Sequence, residues 1–172
     1  MKQPLIIATG RFGGKWLNAY ADDFRGNVDM LWIDPLCDMP TKCAAMLVPR
    51  KTSPTYNRFQ QNFEKRLRNY QMAFVIGGIG GKYAAHSLLQ LIKFSPIPLR
   101  LFLVTPFGFE KESRINNAQR ALSQIQKSGY PFHLYENDKL LEPQYGQLSI
   151  KEAFEIYPRQ IRADICALYK VC

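Results

Sequence analysis

Histidine and cysteine are scarce in this sequence of 172 residues, which has two histidines and four cysteines. No pair of cysteines has the spacing of a zinc knuckle or of a redox CxxC motif. Two histidines are too few for a histidine-rich metal site. We therefore expect no metal site, and we expect free thiols in a reducing compartment. The residues concerned are Cys37, Cys43, Cys166, Cys172, His86 and His133.

Long apolar runs are also missing from the chain. None reaches the roughly 18–20 residues that a membrane-spanning helix needs. The first eight residues are a short polar lead into an apolar strand, without the longer apolar core of a signal peptide. These absences predict a cytoplasmic protein without a transmembrane segment.

Acidic residues are outnumbered by basic ones, at 14 against 23, and the net charge is +9. Such an excess favours an anionic partner: a nucleotide, a nucleic acid, an acidic protein or a lipid head group. The hydrophobic content of 47% is that of an ordinary globular protein. The length suits a single domain over residues 1–172 with a substantial core.

The segment 74–92 organises the chain. An apolar run at 74–76 predicts a buried strand, a glycine cluster breaks it, and a helical pattern follows. Glycine backbones adopt positive φ and let N–H groups approach an anion, while the helix points its positive end at the same place. A tight strand-to-helix turn without any ligand is the alternative. The glycines are Gly77, Gly78, Gly80 and Gly81, followed by Lys82.

A second glycine-rich segment, Thr9 to Lys15, follows an apolar strand at 5–8. We expect a loop there, with a helix over 16–24. The segment resembles a Walker A loop but does not match it, because Trp16 stands where that motif has Ser or Thr. Lys15 and Lys82 both place positive charge beside any phosphate bound at these glycines.

Strand and helix patterns alternate along the whole chain. Further strands are expected at 28–33, 44–48, 99–105 and 130–135, with helices at 55–70, 84–94 and 115–126 and a last one at 150–172 that Pro158 interrupts. Alternation of this kind predicts an α/β fold: a doubly wound, mostly parallel sheet with helices on both faces. Ligands then bind beyond the carboxyl ends of the strands, at loops 10–15, 34–40, 77–82, 106–114 and 136–138.

The order of these motifs resembles the N-terminal nucleotide-binding domain of the tubulin/FtsZ family. The stretch Pro106-Phe-Gly-Phe-Glu110 is similar to the family's Pro-Phe-x-Phe-Glu, and Glu136-Asn-Asp-Lys-Leu-Leu141 is similar to Pro-Asn-Asp-Arg-Leu-Leu. The glycines at 77–81 stand at the place of the GGGTGTG signature loop, and 148–154 resembles the entry to the core helix. The similarity covers essentially the whole chain.

The resemblance implies a role for particular residues. It assigns phosphate contacts to both glycine segments, the ribose side to Glu110, the phosphate side to Arg114, guanine recognition to Asn137 and base stacking to Phe154. No catalytic residue follows from it. The implied ligand is GTP or GDP, with Mg²⁺ only if a nucleotide binds. In the first glycine segment the residues are Gly10, Gly13 and Gly14.

The sequence also departs from the family pattern. Lys82 to His86 replaces further glycines of the signature loop, and Arg159 stands near the place of the guanine-reading aspartate. In the family, an acidic loop from the next subunit completes hydrolysis, and we expect this chain to end within or after the core helix without that loop or a second domain. The resemblance therefore implies a shortened, diverged member, which would need a partner subunit for any GTPase activity.

Three hypotheses follow for the function. The first is an FtsZ- or tubulin-like domain that binds a nucleotide, or has lost it, and regulates or joins an assembly of the cytoskeletal or cell-division type. The second is a protein–protein scaffold with a dead nucleotide site in another assembly. The third, which we favour least, is a basic domain that binds nucleic acid. The first two imply a protein partner or self-assembly.

Overall fold

A computed structural model describes residues 2–34, 43–46 and 53–169. In this part of the chain, strands and helices alternate. The strands are β1 (Leu5–Thr9), β2 (Asp29–Ile33), β3 (Ala44–Met46), β4 (Ala73–Gly78), β5 (Leu99–Val104) and β6 (Phe132–Tyr135). The α-helices are α1 (Gly10–Tyr20), α2 (Tyr56–Leu67), α3 (Lys82–Phe94), α4 (Glu112–Ser128) and α5 (Ile150–Tyr169). Short 3-10 helices cover Ala21–Phe24, Asn137–Leu141 and Pro143–Tyr145.

The described strands form one sheet in the order β3-β2-β1-β4-β5-β6, and every pairing is parallel. At its centre, Ile7 of β1 lies between Leu31 of β2 and Val75 of β4. The order reverses between β1 and β4, which makes their carboxyl ends the switch point where such sheets bind ligands. This arrangement confirms the α/β, doubly wound fold class.

Two hydrophobic layers cover the two faces of the sheet. Because strand side chains alternate between faces, Ile7 and Val75 pack with α2, α3 and α4, whereas Ile6 and Phe74 pack with α1 and α5. Both layers are almost fully excluded from solvent. The helices therefore lie on both faces of the sheet, as expected. The carboxyl ends of the parallel strands all lie at one edge of the sheet.

The last helix continues through Pro158, so the expected interruption there is wrong. Proline removes one backbone hydrogen bond and crowds the preceding turn. Here α5 is anchored on both sides of it by buried Tyr157, Ile161 and Ile165. The Pro158 carbonyl oxygen also accepts the indole N–H of Trp16 over 2.9 Å. Tertiary packing thus outweighs the local penalty.

The described cysteines differ in state. Cys43 is not part of a disulfide, whereas Cys166 is disulfide-bonded, so the expectation of free thiols is wrong for Cys166. Sequence spacing does not show which cysteines approach each other in space. Cys37, Cys172 and most of the expected loop 34–40 lie outside the described residues. No helix in the described part is long and apolar enough to cross a membrane.

Candidate functional site

The segment 10–15 is part of α1, so the loop expected there is wrong. Gly10 has a φ of 67°, which glycine adopts readily, and the chain turns from β1 into α1 at this single residue. A Cβ built on Gly13 would lie 2.8 Å from the Ile76 carbonyl oxygen and 2.9 Å from the Ala8 Cβ. Gly13 therefore lets α1 lie close to the sheet, and Gly14 beside it is buried.

The second glycine segment is shorter than the expected loop. Gly77 and Gly78 are the last residues of β4, and only residues 79–81 form the turn before α3. A Cβ on Gly77 would lie 2.2 Å from the Thr9 Oγ1, and one on Gly80 would lie 3.0 Å from the Pro106 Cβ. These glycines allow the end of β4 to approach both of its neighbours closely.

The N-termini of α1 and α3 lie against each other. A Cβ on Gly10 would be only 2.5 Å from the Cβ of Ala84. Neither helix has a side-chain hydrogen bond at its N-cap, and neither has an acidic residue in its first turn. Helix α5 differs, because Ser149 and Glu152 form a reciprocal cap, with the Ser149 N–H donating to Glu152 over 2.8 Å. The paired, uncapped ends of α1 and α3 suit an anion.

A buried hydroxyl group marks the same edge. Thr9 ends β1 beside Gly77 and is 1% exposed. Within the described residues, its Oγ1 has no hydrogen-bond partner. Leaving such a group unsatisfied costs about 1–3 kcal/mol, a cost that is unusual in an ordinary core. The switch point therefore carries a buried hydroxyl group that makes no hydrogen bond to the rest of the described protein.

Positive side chains accompany the two helix ends. Lys82 is the first residue of α3, and Arg11 and Lys15 lie in the first two turns of α1. All three are exposed. The structure thus places the predicted lysines on the two helices that meet at the switch point, where their charge adds to that of the helix ends.

The segment 106–111 is held in shape by carboxylates. Glu110 accepts the backbone N–H of Phe107 over 2.8 Å and pairs with the guanidinium of Arg114. Asp138 accepts the N–H of Gly108 over 2.7 Å. Because α4 begins at Glu112, earlier than expected, Arg114 lies in its first turn. Glu110 and Arg114 contact each other, so the structure gives them a shared role in shaping this loop.

The two phenylalanines of this segment meet the start of α5. The Phe107 ring stacks on Phe109 at 4.9 Å between centroids and makes a T-shaped contact with Phe154 at 5.6 Å between centroids. Phe109 is 74% exposed and Phe154 is 54% exposed. Asn137 is tied to the same region, because its N–H donates to the Thr105 Oγ1 over 3.3 Å. Phe107 and Asp138 join these segments, and their role was missed because it depends on contacts between distant parts of the chain.

Arg159 lies on the side of α5 that faces α1. Its guanidinium lies near the phenol of Tyr20, whose pKa is raised mainly by burial and then by Glu155. Nearby, the Arg162 Nε donates to Asp23 over 2.5 Å. A guanidinium only donates hydrogen bonds and cannot accept those of a guanine edge. Position 159 therefore supplies no carboxylate that could accept hydrogen bonds from a guanine base.

Comparison with solved structures finds the same fold. FtsZ from M. jannaschii superimposes with a TM-score of 0.75 at 15% identity, covering 94% of this chain and 52% of FtsZ. CetZ2 from Haloferax volcanii, in a GTPγS-bound protofilament, superimposes with a TM-score of 0.71 at 18% identity, covering 96% of this chain and 57% of CetZ2. GDP-form TubZ from Bacillus thuringiensis serovar israelensis superimposes with a TM-score of 0.68 at 16% identity, covering 98% of this chain and 54% of TubZ.

This chain thus spans about half the length of those structures. No family model matches the sequence, and neither does any curated protein. The similarity therefore lies in the fold, at a sequence identity of 15–18%. The resemblance inferred from the sequence motifs is confirmed at this level: the chain has the α/β fold of the tubulin/FtsZ family.

Proposed function

We propose that this chain binds the phosphates of a nucleotide at the switch point, and that it is a diverged, tubulin/FtsZ-like component of a cytoplasmic protein assembly. The observation that carries the proposal is the contact between Gly10 and Ala84, which joins two uncapped helix N-termini. The buried, unsatisfied hydroxyl of Thr9 and the charge of Lys82 support it. A GTPγS-bound CetZ2 with the same fold supports a guanine nucleotide as ligand.

We expect different residues to contact the phosphates and the base of the nucleotide. Backbone N–H groups of α1 and α3, with Lys82 and Lys15, would hold the phosphates, and Mg²⁺ would accompany a triphosphate. The exposed ring of Phe154 would stack on the base. Because Arg159 cannot accept hydrogen bonds, we expect weak discrimination between guanine and adenine.

Assembly is proposed from the surface around this edge. Among the exposed large apolar side chains of the described residues, Phe109, Leu141, Ile150 and Phe154 belong to the segments that follow β5 and β6 or begin α5. The CetZ2 and TubZ structures of this fold are protofilaments. A protein partner or a further copy of this chain would cover these side chains. We expect slow nucleotide hydrolysis, or none, by the chain alone.

A scaffold with a dead nucleotide site is the second candidate. Phe12 lies over Gly78, with its Cβ 3.4 Å from a Cβ built there, and Tyr83 at the start of α3 is 50% exposed. Both bulky rings lie where the family resemblance implies phosphate contacts. If they exclude nucleotide, the same exposed surface would serve protein binding alone.

A matched pair of variants tests the proposal. Lys82→Ala removes a charge at the helix junction, whereas Lys127→Ala removes one in the last turn of α4. A charge-assisted hydrogen bond contributes about 1.5–3 kcal/mol, so we expect Lys82→Ala to weaken GTP binding at least tenfold. Lys127→Ala should leave it unchanged. Equal affinities of the two variants in calorimetry would reject this phosphate site.

Sedimentation with and without nucleotide tests the assembly. We expect GTP-dependent pelleting of the chain, alone or with an FtsZ- or tubulin-like partner, that Phe154→Ser weakens. Pelleting that does not depend on nucleotide, in a protein that binds no nucleotide, would favour the scaffold hypothesis.

A further inference from the structure

Thr9 and Gly77 are paired across the end of the sheet, where β1 lies beside β4. A Cβ built on Gly77 would lie only 2.2 Å from the Thr9 Oγ1, so the hydroxyl group occupies the space that a side chain on Gly77 would need. Thr9 itself is buried. A valine side chain has nearly the same shape and would fill this space equally well. Packing alone therefore does not explain why the group at this position is polar.

The hydroxyl group lies on the α3 side of the sheet. Because strand side chains alternate between the two faces, Thr9 shares a face with Ile7, which belongs to the same hydrophobic layer as Leu88 of α3. The chain passes from β4 to that helix through the short turn 79–81. Ala84, in the first turn of α3, packs against Gly10, the residue that follows Thr9. The buried hydroxyl group is therefore close to the N-terminus of α3.

The N-terminus of α3 provides hydrogen-bond donors that the helix does not use. The first N–H groups of an α-helix have no carbonyl partner within the helix, and α3 has no side-chain cap that accepts them. Within the described part of the chain, the Thr9 Oγ1 does not accept them either, and it donates to no other group. Native proteins rarely leave a buried hydroxyl group unpaired. An anion at the start of α3 would accept hydrogen bonds from both the helix and the hydroxyl group.

We propose that Thr9 is a ligand-binding residue of the phosphate site and donates its hydroxyl hydrogen bond to a phosphate oxygen held at the start of α3. This inference rests on the nucleotide site proposed above, and it adds a contact that neither the glycines nor the lysines supply. Because the Thr9 Oγ1 is buried, the turn 79–81 has to move for a phosphate to reach it. The hydroxyl group thus lowers the stability of the nucleotide-free protein and contributes to the affinity for the ligand.

Thermal melts of the nucleotide-stripped chain test the effect on stability. Thr9→Val replaces an unpaired buried hydroxyl group by a methyl group, so we expect the melting temperature to rise. Thr105→Val is the matched control, because the Thr105 hydroxyl accepts the Asn137 N–H over 3.3 Å and its loss should lower the melting temperature. A fall in both variants would overturn the proposal, since the Thr9 hydroxyl would then be paired in the nucleotide-free protein.

Calorimetry with inorganic pyrophosphate and with GTP tests the contact itself. Thr9→Ser keeps the hydroxyl group, whereas Thr9→Ala and Thr9→Val remove it. A hydrogen bond to a charged group contributes about 1.5–3 kcal/mol, so we expect Thr9→Ala and Thr9→Val to bind both ligands roughly tenfold more weakly, or worse. Thr9→Ser should stay within about threefold of the wild type, because it retains that hydrogen bond.

The outcomes separate this inference from the nucleotide site on which it rests. If the wild type binds both ligands and Thr9→Ala and Thr9→Val bind them equally well, the role of Thr9 is overturned and the nucleotide site stands. A loss of affinity for GTP without a loss for pyrophosphate would place the contact at the nucleoside and would also overturn the proposal. A wild-type chain that binds neither ligand would overturn the nucleotide site together with the role of Thr9.

Discussion

Gly10 and Ala84 bring the first turns of α1 and α3 into direct contact, at a distance that leaves no room for a side chain on Gly10. The φ of Gly10, 67°, is also one that other residues rarely adopt. The switch point of the sheet therefore depends on one glycine for its backbone conformation and for its packing.

The substitution Gly10→Ala separates these two requirements when it is compared with Gly26→Ala. Gly26 also has a positive φ, 86°, but a Cβ built on it would meet no atom within 4 Å. The left-handed conformation costs alanine roughly 1–2 kcal/mol, and crowding at Gly10 adds about 1–3 kcal/mol. We expect Gly10→Ala to lower the free energy of unfolding in urea by clearly more than Gly26→Ala. Equal losses would show that the contact with Ala84 is easily relieved.

The two tryptophans support different parts of the structure. The Trp32 indole donates to the Gly10 carbonyl oxygen over 3.0 Å, whereas the Trp16 indole donates to Pro158. Both side chains are buried, so Phe at either position loses one hydrogen bond to a helix carbonyl, about 0.5–1.5 kcal/mol, plus lost packing. We expect Trp32→Phe to weaken nucleotide binding as well, because it loosens the Gly10 turn. Trp16→Phe should cost stability with a smaller change in affinity, and the reverse order of affinities would contradict this assignment.

Glu110 is expected to act mainly by shaping the loop after β5. Its carboxylate accepts the Phe107 N–H and pairs with Arg114. Glu110→Gln keeps an acceptor for Phe107, whereas Glu110→Ala leaves that N–H without it. We expect the Ala variant to show faster hydrogen exchange over 107–111 and the Gln variant to remain close to the wild type. If both variants exchange equally fast, the ion pair with Arg114 is the dominant contact.

The cap of α5 gives the protein an acid-dependent contribution to stability. The hydrogen bonds from Ser149 lower the pKa of Glu152 below its usual value of 4.5. A lowered folded-state pKa stabilises the fold above the unfolded-state pKa, and this contribution is lost as the pH falls through the folded-state value. We expect Glu152→Ala to lower the melting temperature at pH 7 and to have a much smaller effect near pH 3.

Lys151→Ala, on the adjacent exposed residue of the same helix, is the control for that substitution. It leaves the Ser149 cap in place and should show no comparable dependence on pH. A Glu152→Ala effect that stays constant from pH 7 to pH 3 would mean that the charge of Glu152 contributes nothing.

The order of strands and helices could be predicted from the sequence because each buried strand is a short apolar run ended by glycine, proline or a polar residue. The central run at 74–76 and the strand at 99–104 follow this rule closely. Parallel pairing and the ligand edge then follow from the alternation of strands and helices. The motif resemblance identified the same fold that the solved structures share.

The errors arise where packing overrides a local rule. Glycines disfavour helices, yet Gly13 lies within α1 because only glycine fits against Ile76. Proline disfavours the helix interior, yet Pro158 is held within α5 by contacts on either side. The bond between Gly108 and Asp138 joins residues 30 positions apart, and no local pattern reveals it. The sequence therefore predicts which residues meet at one edge of the sheet, and the site there stays a prediction, whereas the contacts among these residues required the structure.

Calorimetric titration of the nucleotide-stripped chain with GTP, GDP and ATP, at low and at physiological salt, tests the phosphate site most directly. We expect micromolar binding of GTP and ATP with little preference between the bases, weaker at higher salt because charges such as Lys82 are exposed. Binding of none of the three nucleotides at either salt concentration would contradict a phosphate site at the junction of α1 and α3. The same fold would then serve as a protein scaffold.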